Sequence, residues 1–123
     1  MRLFQSVFAL LLAGCAAPPA PPVASSTPTR TVPATLLRQL DNADEEIKKH
    51  DYRSAARHSE DLLKQLKLFE QSQDAQIRAH QLAAEAYIGS KRKNKAVPHY
   101  RALVHLEPAR AAEYKAVLWK LGH

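Results

Sequence analysis

The chain has 123 residues, 24% of which are charged, and its formal net charge is +6. This length allows one small folded domain rather than several. A single cysteine excludes an intramolecular disulfide, and three glycines leave no glycine-rich loop of the kind that cradles phosphates. The excess of Lys and Arg is compatible with attraction to anionic partners.

An export signal is predicted at the N terminus. Arg2 supplies the positive start, and an apolar run follows from residue 3 to residue 13, broken only by Gln5 and Ser6. At roughly eleven residues this run is too short to cross a bilayer as a permanent helix, but it has the length of a signal-peptide core.

The apolar run ends in the tetrapeptide LAGC, residues 12–15, which resembles a bacterial lipobox. The resemblance implies that residues 1–14 are a signal peptide removed before Cys15. It also implies a diacylglycerol on the Cys15 sulfur and an acylated amino group. Several acyl chains anchor a protein firmly in a membrane, where one chain is marginal. The alternative is an ordinary signal peptide with an incidental cysteine.

The residue after the cysteine bears on location. In lipoproteins of bacteria with two membranes, an aspartate at that place tends to keep the protein in the inner membrane, and this chain has Ala16 instead. The resemblance therefore predicts the periplasmic face of the outer membrane. Export also argues against a nucleic-acid partner.

A linker of Pro, Ser, Thr and Ala is predicted after the cysteine, up to Pro33. Such a composition cannot bury enough apolar surface to fold. Proline favours an extended conformation, so the segment predicts a semi-stiff tether with a reach of about 50 Å. A proline-rich recognition motif is the alternative.

Residues 34–123 predict an all-α domain of about five helices. Apolar residues at helical spacing indicate a first helix from Leu36 to His50 and a second from Asp51, its predicted cap, to about Gln71. Two further helices, separated by a tight basic turn, are expected within Ile77–Pro108.

The later helix boundaries rest on local signals. Asn94 is the predicted cap of the fourth helix, and Pro98 is expected in its first turn or just past it. A last helix is predicted over Ala109–Leu121, where it would cap the array. Trp119 lies beside its apolar face and predicts a packing role at the rim, with a binding role as the alternative.

The stretch Ile77–Pro108 resembles a tetratricopeptide repeat, whose pattern is W-x2-L-G-x2-Y, then A-x3-F, then P. The corresponding positions are His80, Ala83, Ala84, Tyr87, Ala96, Tyr100 and Pro108. Tyr87, Ala96 and Pro108 match outright, Tyr100 is an aromatic substitute, and His80 and Ala83 depart from the pattern. The resemblance implies a short array of two αα-hairpins with a C-terminal capping helix.

The first hairpin aligns with the second at an offset of forty residues as a degenerate internal repeat. The aligned pairs are Arg38 with Arg78, Ala43 with Ala83, Glu45 with Glu85, Ile47 with Tyr87, Ala56 with Ala96, and Leu63 with Leu103. The first copy lacks the second aromatic and the closing proline.

In tetratricopeptide-repeat proteins the first helix of each hairpin lines a groove that holds a peptide or a helix. The resemblance places Arg38, Asp41, Glu45, Lys48, Arg78, Gln81, Glu85 and Ile88 in that groove. These residues are the predicted contacts with a protein partner. The alternative is that the repeated Arg and Glu form structural ion pairs between stacked helices. Because two hairpins leave their ends uncovered, a partner or a second copy, giving a homodimer, is expected to cover them.

Four basic residues cluster at the turn of the second hairpin, and no acid occurs between Glu85 and Glu107. They are Lys91, Arg92, Lys93 and Lys95. One interpretation is a solvated basic turn. The other is contact with an anionic envelope component, such as a lipid headgroup or a wall polymer.

No catalytic set is recognised. The six histidines form no HExxH motif, no second cysteine could join a zinc site, and no serine lies in a nucleophile elbow. The histidines are expected to be solvated, and no metal or cofactor is predicted. The competing functions are a scaffold or adaptor lipoprotein, a binding module for an anionic envelope component, and, least favoured, an enzyme.

Overall fold

Five α-helices form the part of the chain that the computed structural model describes, residues 31–123. They are α1 (Ala34–Lys48), α2 (Tyr52–Leu66), α3 (Gln73–Gly89), α4 (Lys93–Leu106) and α5 (Ala111–Lys120). Within these residues the only β pairing is an isolated bridge between Thr31 and Gln71. The prediction of an all-α fold with two hairpins and a C-terminal helix is confirmed. The predicted signal peptide, Cys15 and most of the linker lie outside the described residues.

Helix α3 lies at the centre of the domain and packs against α1, α2 and α4. Its buried positions are mostly alanines, and Ala79, Ala83, Ala84 and Ala86 are each 0% exposed. Short side chains allow neighbouring helix backbones to approach closely while still excluding water. The alanine content of this helix therefore follows from its having neighbours on several sides.

The two hairpins turn in the same way. His50 and Lys91 both adopt φ 63°, and a backbone bond closes each turn, from Asp51 N to Glu46 O at 2.8 Å and from Arg92 N to Tyr87 O at 2.8 Å. This left-handed residue with a six-to-one hydrogen bond is a common helix ending.

The matching turns correct the register of the internal repeat. His50 and Lys91 stand 41 positions apart, so the predicted offset of forty is wrong by one residue at the turn. The shifted register pairs Ala43 with Ala84, Ala55 with Ala96, and Leu62 with Leu103, all of them buried. Consequently Arg38 and Arg78 are not equivalent, and neither are Glu45 and Glu85.

Several predicted helix boundaries also change. Asp51 caps α2 as expected, since Ser54 N donates to its carboxylate at 3.4 Å. Asn94 does not cap α4, because the helix begins at Lys93, and Pro98 lies inside it. Helix α2 ends at Leu66 rather than near Gln71, and the following loop is held by a bond from Ser72 Oγ to Phe69 O at 2.8 Å.

Both ends of the domain differ in detail from expectation. Val32, within the predicted linker, is partly buried against the core. A short 3-10 turn at Pro108–Arg110 precedes α5, which buries Tyr114 and Leu118. The expected rim packing of Trp119 is wrong, because this residue is 82% exposed.

Gly89 allows the end of α3 to approach the start of α2. A Cβ atom at position 89 would lie 2.5 Å from the ring of Tyr52. We therefore expect Gly89→Ala to destabilise the domain by about 1–3 kcal/mol through overpacking, measured by urea unfolding followed by circular dichroism. In a Tyr52→Ala background, which removes the ring, the same change should cost nothing. An equal penalty in both backgrounds would contradict this account.

Candidate functional site

Helices α1, α3 and α5 share one face of the molecule, which we call the groove face. Arg78 of α3 forms a salt bridge with Asp41 of α1 at 2.8 Å. On the other side, Gln81 Nε2 of α3 donates to Tyr114 Oη of α5 at 2.9 Å. The structure thus brings three of the predicted partner-binding residues, Asp41, Arg78 and Gln81, into one row across the molecule.

The other predicted groove residues have different roles. Lys48 pairs with Glu45 at 3.2 Å and with Asp44 at 3.4 Å along α1. Arg38 is exposed, and Ile88 is partly buried and packs against the core. The alternative of ion pairs between stacked helices was predicted for the repeated Arg and Glu, but Glu45 pairs within its own helix, and Arg78 pairs across helices with Asp41 instead. Such an exposed pair adds little to stability, so both groups stay available to a ligand.

A cleft of about 550 Å³ opens on the groove face between α3 and the C-terminal segment. Its lining residues are Gln81, Glu85, Tyr100, Arg110, Glu113, Tyr114 and Val117. Glu85 is exposed and makes no salt bridge with any described residue, whereas Glu113 is held by Arg110 at 2.7 Å.

Aromatic rings form part of the cleft wall. The Tyr100 and Tyr114 ring centroids lie 6.2 Å apart, and the Arg110 guanidinium lies 5.3 Å from the Tyr114 centroid. The Tyr114 hydroxyl donates to Glu107. Aromatic faces beside a carboxylate and an amide suit the side chains and backbone of a peptide.

Sequence reasoning missed most of this cleft. It gave no ligand role to Arg110, Glu113, Tyr114 or Val117, which all line the cleft. Their contribution depends on how the last helix docks against α4, which no local pattern specifies. The only available signal was the aromatic pair, Tyr100 and Tyr114, on elements expected to pack together.

The basic turn is divided between two roles. Arg92 Nε donates to Ser90 Oγ at 3.1 Å, and its guanidinium lies 4.9 Å from the centroid of the Tyr87 ring. Lys95 Nζ lies 6.0 Å from the same centroid. Lys91 and Lys93 are exposed and form no salt bridge among the described residues. Two of the four predicted anion-binding residues, Arg92 and Lys95, therefore lie beside a tyrosine ring, although Lys95 is exposed like Lys91 and Lys93.

A polar cluster lies away from the groove face, where α2, α3 and α4 meet. Tyr87 Oη donates to Glu60 Oε2 at 2.8 Å, and His99 Nε2 lies 3.3 Å from Glu60 Oε1. The Nδ1 atoms of His80 and His99 are 2.9 Å apart. The expectation of solvated histidines is wrong here, since His99 is 6% exposed and His80 is half-buried.

Burial shifts the acid–base behaviour of this cluster. Desolvation, together with the neighbouring His99, lowers the pKa of His80 to about 4. Desolvation also lowers the pKa of His99, against the opposing effect of Glu60. Burial and the hydrogen bond to Glu60 raise the pKa of Tyr87 to about 12. At neutral pH both imidazoles and the phenol are therefore uncharged.

A second cleft, of about 680 Å³, lies between α1 and α2. Its lining is polar and includes Glu46 and His58, which contact each other at 2.7 Å. Within residues 31–123 no three His, Cys, Asp or Glu side chains are arranged to hold a metal ion. None of the described helices is both long enough and apolar enough to cross a membrane.

Comparison with known proteins adds no relative. A scan against models of protein families gives no match, and searches of curated proteins and of solved structures give none either.

Tyr87→Phe tests the contribution of the buried cluster to the fold. Removing the hydroxyl leaves Glu60 without one donor, so we expect a loss of about 1 kcal/mol in the free energy of unfolding. The matched control is Tyr52→Phe, which removes an exposed bond to His50 of 2.8 Å and should cost less. Urea unfolding at neutral pH measures the stability of both variants. Equal losses would mean that burial does not increase the contribution of the Tyr87 hydrogen bond to the free energy of unfolding.

Proposed function

We propose that this chain is a scaffold or adaptor lipoprotein of the bacterial cell envelope, with tetratricopeptide-like hairpins. A lipid anchor at Cys15 would hold it at the periplasmic face of the outer membrane, and the linker would set the domain away from the bilayer. The role of the domain would be to bind a protein partner and support assembly of an envelope complex, such as secretion, pilus or wall machinery.

The observation that carries this proposal is the cleft on the groove face. It combines the exposed carboxylate of Glu85, which makes no salt bridge among residues 31–123, with the aromatic rings of Tyr100 and Tyr114. Aromatic side chains supply contact area with little loss of conformational entropy, and a free carboxylate selects for a donor or a cation on the partner. We infer a peptide or helix of the partner as the ligand, and a binding role without catalysis.

The anchor is tested by metabolic labelling of the full chain with a palmitate analogue in a bacterium. The unchanged chain should incorporate label and remain with the membranes. Cys15→Ser should lose all label, because no other cysteine is available. Label retained by Cys15→Ser, or no label on the unchanged chain, would contradict the lipoprotein assignment.

The groove is tested with a photo-crosslinking amino acid replacing Glu85 in the anchored protein. We expect a discrete adduct with an envelope protein at neutral pH. The same amino acid at Arg101, an exposed position of α4 that does not line the cleft, should give none. Equal adducts from the two positions would indicate random collisions rather than a binding face.

Charge reversal adds a quantitative arm to the crosslinking experiment. If Glu85 contacts a donor or cation, Glu85→Lys should weaken recovery of the identified partner by roughly tenfold or more. Glu85→Gln keeps the size and polarity of the side chain and should weaken it less. A Lys variant that binds as well as the unchanged chain would remove Glu85 from the binding site.

A binding module for an anionic envelope component is the second candidate function. It is favoured by Lys91 and Lys93, which are exposed and form no salt bridge within the part of the chain that the structure describes. In that case the protein should bind vesicles of anionic lipid, more weakly as salt rises, and a Lys91→Ala/Lys93→Ala variant should lose this binding. The scaffold proposal expects the Glu85 adduct to persist in that variant.

A further inference from the structure

We propose that His80 and His99 form a proton-controlled latch between α3 and α4, closed while one imidazole donates to the other and opened when both rings are protonated. The latch holds the second hairpin together at mid-length. Glu60 connects it to α2 and so to the first hairpin.

The direction of the hydrogen bond follows from Glu60. A carboxylate can only accept, so its oxygen 3.3 Å from His99 Nε2 favours a proton on that nitrogen. A neutral His99 then presents a lone pair at Nδ1. The contact of 2.9 Å with His80 Nδ1 therefore requires His80 to carry its proton at Nδ1 and donate. Each ring has one specified tautomer at neutral pH.

Added protons act in two steps. The first proton binds to Nε2 of His80, whose lone pair lies outside the contact between the rings. The hydrogen bond between the two Nδ1 atoms therefore stays in place. The second proton can bind only to Nδ1 of His99, which is the acceptor of that hydrogen bond. Two N–H donors and two positive rings then face each other, which removes the hydrogen bond and replaces it with repulsion.

The surroundings favour the neutral, closed form. Tyr87 of α3 stacks on His99 with ring centroids 5.7 Å apart. The Arg92 guanidinium and Lys95 Nζ lie 4.9 Å and 6.0 Å from the centroid of the same Tyr87 ring. From the α2 side, Lys67 lowers the pKa of His80 while Glu60 raises it. Burial acts in the same direction as Lys67 and lowers the pKa of both rings.

The latch adjoins the groove face through helix α3. His80 precedes Gln81, whose amide donates to Tyr114, and lies within two residues of Arg78. If the proposed groove holds a partner, separation of α3 from α4 would disturb these residues, so binding would weaken at acid pH. This last step rests on the proposed function, whereas the latch itself does not.

Nitrogen-15 NMR of the histidine rings in the full, uniformly labelled chain tests the latch directly. At pH 7 we expect His80 as the Nδ1–H tautomer and His99 as the Nε2–H tautomer. On acidification His80 should stay neutral well below pH 6.5, the ordinary midpoint of histidine, and His99 should also become protonated only below that pH. Two Nε2–H tautomers, or ordinary titration of both His80 and His99, would overturn the proposal.

Stability as a function of pH gives an independent test. Because the pKa of His80 is lower in the folded than in the unfolded chain, the unfolded state binds more protons as pH falls from 6.5 toward 4. Stability is therefore complete above pH 6.5 and is lost as pH falls through that window. Between pH 7 and pH 4.5 the folding equilibrium constant should fall on the order of tens-fold through this pair.

The informative variant is His80→Asn, whose amide can donate to His99 Nδ1 but does not titrate. It should fold at pH 7 and lose most of the acid-sensitive component, measured by urea unfolding at each pH. His105→Asn, at an exposed position of α4, is the matched control and should keep the full slope. An unchanged slope in His80→Asn would overturn the latch, and should that variant fail to fold, the ring spectra of the unaltered chain decide.

Discussion

The packing of α3 between its neighbours is the constraint on which the rest of the structure depends. One helix must contact α1, α2 and α4 and also meet α5 through Gln81. Alanine at the buried positions permits this, because larger side chains would force the helices apart. Gln81 and Glu85 of the groove face and His80 of the histidine pair are among the larger residues of this same helix.

This arrangement explains why two different surfaces share one scaffold element. Gln81 and Glu85 point to the groove face, while His80 and Tyr87 point toward α2 and α4. A displacement of α3 would therefore move the residues of the groove face and those that face α2 and α4 together. Coupling between the proposed groove and the proposed latch would require no chain of intermediate contacts, since Gln81 and His80 are adjacent residues of one helix.

Much of the fold was predictable from the sequence. Apolar residues at helical spacing predicted the five helices, and Asp51 marked a real boundary. The repeat register failed by one residue because burial alternates over three and four positions, so two neighbouring offsets bury nearly the same set. Only the left-handed backbone conformation at His50 and Lys91 distinguishes the two offsets, and neither histidine nor lysine is a residue type that predicts this conformation.

The candidate site was less predictable for a different reason. A family resemblance could place the predicted groove residues, because each helix presents them on one face. These residues are Asp41 on α1 and Arg78, Gln81 and Glu85 on α3. The cleft needs Tyr100 and Tyr114 from two other helices, and the histidine pair needs His80 and His99 to meet across 19 positions. Such meetings depend on how helices dock, and a buried histidine looks the same in a sequence as a solvated one.

The exposure of Trp119 has a practical consequence. It is the only tryptophan of the chain, and its ring already lies in water on the outer side of α5. Its intrinsic fluorescence will therefore change little when the domain unfolds, yet any molecule that covers the end of the array will shift the emission to the blue. Tryptophan fluorescence should therefore report contacts made at the C-terminal helix, and it should respond little to unfolding of the core.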